Sequence, residues 1–194
     1  MTEPTPWVVR FAPLVPEGGR VLDLAAGGGR HARLFLERGH PVLAVDITIQ
    51  SLADLANRPD AEVLALDLEN GPPPFAPPSP LAGRTFAGIV VTNYLFRPHF
   101  PHLLDALAPG GVLIYETFAR GNEAYGKPRN PDHLLKAGEL LELARGRLQV
   151  VAYEHGIDDN GETPAVKQRV CAVNDLAASA RDDGDSPPHA VGKG

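Results

Sequence analysis

The amino-acid sequence predicts an α/β protein built on a doubly wound, mostly parallel sheet of seven strands that ends in an antiparallel hairpin. Three observations carry that expectation. Short apolar, β-rich runs alternate with helix-like segments as far as residue 143, the arrangement that builds a parallel sheet with helices on both faces. The first such run, Val21–Leu24, leads directly into Gly27, Gly28 and Gly29. Two β-rich stretches, 148–154 and 165–173, flank the turn sequence Asp158, Asp159, Asn160, Gly161, which predicts an antiparallel pair.

Each element follows from its own residues. Residues 7–15 are apolar and give a helical turn or two before Pro13 and Pro16 stop it. Gly18 and Gly19 precede the first strand. Residues 30–38 place Ala32, Leu34, Phe35 and Leu36 at helical spacing and end at Gly39, a usual helix stop. A second strand is expected at 41–45, a helix at 51–57 and a third strand at 61–66. The stretch 70–80 holds six prolines, which excludes a helix or central strand and predicts an exposed, extended loop. The fourth strand is expected at 86–92, a helix at 99–107 closed by Pro109, Gly110 and Gly111, and the fifth strand at 112–117. A Gly- and Pro-containing connection covers 119–132, and a helix follows around 137–143.

Composition fixes the class of molecule. A chain of 194 residues with 43% hydrophobic and 22% charged residues is sized and composed for one folded domain. That domain is expected to span 1–175, with 176–194 a polar, disordered tail. With 18 basic against 24 acidic residues and a net charge of −6, a nucleic-acid partner is disfavoured. Cys171 is the single cysteine, so no intramolecular disulfide forms, which fits a reducing compartment. There is no apolar run of roughly 20 residues, as a membrane span needs. Nor does a basic segment followed by an apolar one open the chain. The expectation is a cytoplasmic protein without a membrane partner.

The candidate site lies where the strands end. Ligands of doubly wound sheets bind at the carboxyl ends of the strands, near the point where strand order reverses. Glycines after the first strand suit a backbone that must approach a ligand closely. The next four strands finish at or beside a polar residue on that same edge: Asp46, Asp67, Asn93 and Glu116. Taken singly, each acid reads equally well as a helix cap or a turn residue, the glycines as a tight structural turn, and Asp23 as a support for the glycine loop. Taken together, the pattern points to a nucleoside cofactor. Gly27 to Ala32 formally matches a dinucleotide fingerprint, which keeps an NAD(P)-dependent oxidoreductase as an alternative. Asp23 ahead of the glycines, Asp67 after the third strand, and the run Ala108, Pro109, Gly110, Gly111, Val112, Leu113 favour S-adenosylmethionine instead.

On those residues the chain, from about Gly19 to Val173, resembles the class I S-adenosylmethionine-dependent methyltransferases. Within them it is most similar to the small tellurite-resistance and thiopurine methyltransferase-like group, whose Lys-x-Gly-Glu-Leu segment is matched by Lys136, Ala137, Gly138, Glu139 and Leu140. The family's first motif, acidic-x-Gly-x-Gly-x-Gly, stands here as Asp23 to Gly29 with Ala25 in place of the first glycine. The resemblance implies a Rossmann-like methyltransferase fold and a methyl group transferred from S-adenosylmethionine to a small-molecule acceptor. A cofactor-binding protein without catalysis remains the second alternative. The resemblance further implies that the backbone at Ala25 and Gly27 faces the methionine part of the cofactor. It sets Asp46 on the ribose, Ile47 against the adenine, Asp67 and Leu68 at the adenine edge and Asn93 near the sulfonium. Asp23, Ala26 and Arg30 complete the expected cofactor set.

The acceptor is expected above the strand ends, between residues 93–99 and 116–129. Tyr94, Arg97, His99, Glu116, Arg120, Tyr125 and Arg129 are the candidates to meet it. The arginines suit a carboxylate or phosphate held bidentately, or else they are solvated or paired with Glu116 and Glu123. Residues 120–129 are long for a strand–helix connection and are expected to form a mobile lid. His99 and His102 share a helix face, but no third ligand stands at metal spacing, so no metal is expected.

Overall fold

The computed structural model describes residues 3–159, 161, 163–176 and 185–192. Seven strands form one sheet: β1 (Val21–Leu24), β2 (Val42–Asp46), β3 (Ala61–Ala65), β4 (Phe86–Thr92), β5 (Leu107–Phe118), β6 (Gln149–Asp158) and β7 (Ala165–Val173). Their order is β3-β2-β1-β4-β5-β7-β6. The first five run parallel, and β7 inserts antiparallel between β5 and β6.

Side chains on the central strands alternate between two apolar layers, as period-two geometry requires of a sheet covered on both faces. Leu22, Leu24, Leu43, Val45, Ile89, Val91, Leu113 and Tyr115 face one layer. The helices α3 (Phe100–Asp105) and α4 (Glu139–Ala144) close that layer with Leu103, Leu104, Leu140 and Ala144. Val21, Val42, Ala44, Val90, Val112 and Ile114 face the other. There α1 (Pro6–Phe11) and α2 (Arg30–Glu37) supply Trp7, Phe11, Ala32 and Phe35. The chain leaving β1 therefore crosses to one face and the chain leaving β4 to the opposite one.

Several elements differ from the sequence reading. Residues 51–57 do not form an α-helix. A single 3₁₀ turn, Gln50–Leu52, is followed by further turns that bury Leu52 and Leu55 against α2's layer. Two anchoring leucines suffice there, and Asp54 is drawn away to Arg33 at 2.6 Å. The Pro-rich segment is not extended. Ala76, Ser79, Ala82 and Arg84 donate to the carbonyls of Pro73, Ala76, Ser79 and Leu81, a chain of turns that uses the non-proline N–H groups. The predicted helix at 99–107 shrinks to Phe100–Asp105, because β5 already begins at Leu107. Pro109, Gly110 and Gly111 lie inside that strand as an irregularity, across which the pairing with β4 jumps from Leu107 to Val112.

Of the tail, residues 177–184, 193 and 194 lie outside the described residues, as do Asn160 in the predicted hairpin turn and Glu162. His189 Nε2 lies 2.7 Å from the Asp175 carboxylate, and Arg10 donates to the Val191 carbonyl at 2.8 Å. No helix among the described residues is long and apolar enough to cross a membrane.

Gly19 marks where the chain enters β1 against the start of β4. A Cβ there would overlap that of Ala87 and stand 2.9 Å from the Pro16 carbonyl oxygen. Gly19→Ala is expected to lower stability by about 1–3 kcal/mol through this overpacking. Chemical denaturation measures it, and an unchanged midpoint would show that β1 and β4 separate without cost.

Candidate active site

The loop after β1 turns sharply because three of its residues adopt left-handed backbone: Ala25 (φ 56°), Gly27 (φ 54°) and Gly29 (φ 72°). Ala25 thus keeps the conformation that glycine would take freely, at a steric penalty of about 1–2 kcal/mol. Space is open over Gly27 and Gly28, where an added Cβ would meet nothing within 4 Å.

Asp46, at the end of β2, holds this loop. Its Oδ2 accepts from the Gly27 N–H at 2.7 Å and its Oδ1 from the Thr48 N–H at 2.9 Å. Asp67, after β3, accepts from the N–H groups of Glu69 and Asn70 at 3.0 and 2.9 Å. Those bonds hold its carboxyl below the usual carboxylate range and set the path of residues 67–70. Between the two aspartates runs a crevice of about 290 Å³, walled by Ala25, Ile47, Leu66, Leu68, Glu69, Asn70 and Tyr94 as well. Ile47 is 66% exposed, an apolar side chain left open at the crevice. The Tyr94 hydroxyl is buried at the crevice, and burial with the nearby Glu69 carboxylate pushes its pKa up.

Of the expected cofactor residues, Ala25, Asp46, Ile47, Asp67 and Leu68 line the crevice. Gly27 sits behind Asp46, and Asn93 (φ 54°) stands at the end of β4 beside Tyr94. Asp23 is only 1% exposed and works beneath the site, accepting from the Ala32 N–H at 2.9 Å where α2 begins. Arg30 lies on α2's outer side, with Nη1 3.5 Å from the Glu3 carbonyl. Ala26 donates its N–H to Val45 in the sheet. Leu66, Glu69 and Asn70 escaped the sequence reading; only their proximity to Asp67 could have suggested them.

The acceptor candidates divide sharply. Arg97 is bound bidentately to Glu139 (2.6 and 3.0 Å) and to the carbonyls of Asp132 and Leu134, so it clamps the chain after β5 instead of facing a ligand. His99 is buried, with Nε2 2.7 Å from the Leu68 carbonyl oxygen. Glu116 is 1% exposed between Lys167 (3.1 Å) and Arg169 (2.6 Å). Tyr94 stays in the crevice, while Arg120, Tyr125 and Arg129 are exposed on the connection after β5. That connection carries bonds of its own. Buried Asn122 accepts from the Val166 N–H and donates to the Pro128 carbonyl, each at 3.1 Å. Both are bonds a sequence pattern does not reveal.

Below the site, His31 in α2 joins the N-terminal segment to β4. Its Nε2 accepts from the Thr5 N–H at 3.2 Å, and its Nδ1 lies 3.4 Å from the Thr92 hydroxyl. Burial, with the charges of Arg30 and Lys167, pulls its pKa down to about 3. Asp23 moves the other way: burial outweighs the Ala32 N–H and Arg30, and its pKa is pushed up to about 7. Unfolded, the same acid ionises near ~4. The native state therefore holds the extra proton between these values, and this group's contribution to stability falls as pH rises through that window. Asp23→Asn keeps an acceptor for Ala32 and cannot ionise. The stability of that variant relative to the parent is expected to rise by on the order of 2–4 kcal/mol between pH ~4 and pH ~8. Urea denaturation across the range tests this, and a constant difference would refute it.

No family model and no curated protein sequence matches the chain. Its fold matches several solved structures. TehB from Haemophilus influenzae aligns over 90% of this chain at 18% identity with a TM-score of 0.70, and the chain spans 63% of that protein's length. The Burkholderia thailandensis 1,6-didemethyltoxoflavin-N1-methyltransferase, with bound 1,6-didemethyltoxoflavin and S-adenosylhomocysteine, aligns over 87% of this chain and 76% of its own at 22% identity, TM-score 0.63. The glycopeptide N-methyltransferase MtfA, complexed with S-adenosylhomocysteine, aligns over 89% and 90% at 20% identity, TM-score 0.59. With the strand order and the antiparallel β7, these likenesses assign the chain the fold of the class I S-adenosylmethionine-dependent methyltransferases.

Proposed function

We propose that the protein transfers a methyl group from S-adenosylmethionine to a small-molecule acceptor. The observation that carries this reading is Asp46, held by Gly27 and Thr48 on the wall of an open crevice at the strand-order reversal. Each of its oxygens accepts one backbone N–H and keeps a lone pair for a vicinal ribose hydroxyl. Ile47, Leu66 and Leu68 give the β3 side of the crevice the apolar faces that suit an adenine ring. Open space over Gly27 and Gly28 leaves their backbone accessible to the rest of the cofactor.

When bound, the cofactor supplies an activated methyl on a sulfonium, so the protein has chiefly to align acceptor and methyl. Alignment falls to residues at the β4 and β5 ends. Tyr94 borders the crevice there with Asn93 next to it at the end of β4, and Arg120, Tyr125 and Arg129 stand exposed on the connection that follows β5. The Burkholderia neighbour holds a small heterocyclic acceptor, and an acceptor of that scale is proposed here. Asp23 acts through α2, whose first turn it fixes below the glycine loop. The strand order argues against the nicotinamide alternative, since the dinucleotide-binding sheet continues parallel beyond its fifth strand, whereas here β7 runs antiparallel.

Asp46→Ala is expected to weaken S-adenosylmethionine binding by about 1.5–3 kcal/mol, the range for hydrogen bonds to a charged group. Titration calorimetry with the cofactor reads this directly, beside a melting curve that registers the lost bonds to Gly27 and Thr48. Unchanged affinity would take Asp46 out of the ribose role.

A further inference from the structure

The network at the end of β5 contains a lysine that the site described so far does not use. Lys167 of β7 donates from Nζ to Asn93 Oδ1 and to Glu116 Oε1, each at 3.1 Å, and the ammonium lies 5.1 Å from the centre of the Phe118 ring. Its side chain is only 12% exposed. Glu116 is shared with Arg169, so one buried carboxylate faces two cations. Arg169 turns on to Glu154 and Asp158, while Lys167 turns toward Asn93.

Asn93 matters because of its backbone. It holds φ at 54°, left-handed backbone that asparagine tolerates better than other residues with a Cβ and that its surroundings here select. The selecting bonds are its N–H to the Glu116 carbonyl at 2.9 Å and its side chain to Lys167. On one side of it Thr92 meets His31, and on the other Tyr94 enters the crevice.

The crevice has a direction. With the ribose on Asp46 and the adenine on the apolar β3 side, the remaining arm of a bound cofactor would lead across β1 toward the end of β4. Lys167 lies close enough to buried His31, beneath the end of β4, to add to the burial and the Arg30 charge that hold it neutral.

Resting on the function proposed above, we propose that Lys167 is a positioning residue of the methyl-transfer centre: it fixes Asn93 and sets a positive charge facing the sulfonium side of the crevice. In the transfer, a lone pair of the acceptor forms the bond to the methyl carbon while the carbon–sulfur bond breaks and its electron pair goes to sulfur. The positive charge leaves the sulfur and passes to the acceptor, where a negative charge cancels it if the acceptor is an anion. A cation at Lys167 disfavours the charged sulfonium relative to the neutral thioether, and so assists that discharge.

The test compares the affinities of the purified protein for S-adenosylmethionine and S-adenosylhomocysteine by calorimetry. A purely architectural lysine would move both together. Lys167→Met is expected to raise the ratio of sulfonium to thioether affinity on the order of three- to ten-fold, the size of a charge–charge interaction at a partly screened site. Lys167→Arg is expected to leave the ratio near that of the parent. Glu116→Gln, which uncovers the cation, is expected to lower it, and this arm decides the matter if Lys167→Met does not fold. Parallel shifts for both ligands, or a ratio that does not change, would overturn the role of Lys167 and leave the proposed function standing. If the parent protein binds neither ligand, the proposed function fails and this inference falls with it.

Discussion

β1 is hydrogen-bonded to β2 on one side and to β4 on the other, so the order of the sheet reverses across it. From β1 the chain passes to α2 on one face, and from β4 it passes to α3 on the opposite face. Two loops that diverge in this way cannot close over the strand ends between them, and the gap they leave is the crevice. Asp46 borders that gap and ties the glycine loop to β2, while Tyr94 borders it from the chain leaving β4. Everything proposed about ligands depends on this divergence, and the divergence follows from parallel pairing and connection chirality alone.

Polar groups under and around the crevice are nearly all committed to one another. Asp23 fixes the start of α2, His31 links the N-terminal segment to β4, and Arg97 ties Glu139 to the end of the β4–α3 connection. Burial sets the protonation of the first two in opposite directions, an acid pushed up and an imidazole pulled down, because in both cases the charged form is the one that a dry environment disfavours.

The strands and the crevice edge were legible in the sequence because both rest on local rules. Apolar runs bounded by Gly and Pro mark strands, and the parallel arrangement brings Asp46, Asp67 and Asn93 to one edge. What was not legible rests on partners distant in the chain. Glu116 ends β5 as expected, but its neighbours Lys167 and Arg169 come from a strand about fifty residues later, with no motif to announce them. The same holds for Arg97 and Glu139, and for Asn122, which reaches Val166 of β7 from the connection after β5. Residues 51–57 carry a helical composition, yet two anchoring leucines and the pull of Arg33 on Asp54 decide their path as turns. The motif position filled by Ala25 is a different lesson: its departure from glycine left the backbone conformation intact.

The place of β7 bears on how this sheet comes into being. The strand that comes last in the sequence lies inside the sheet, between β5 and β6. A chain emerging from the ribosome as far as residue 158 has made β6, but no strand yet pairs with β6. The long edge of β5 stays open, and such an edge is a template for pairing with other chains. Glu116 meanwhile lacks both of the cations that surround it in the finished fold. Residues 165–173 then supply in one step the ladder partner of β5, the ladder partner of β6 and the counter-charges of a buried carboxylate. Assembly of this half of the sheet is thus a late, non-local event, and the nascent chain is most exposed to misassociation in the interval before the last strand arrives.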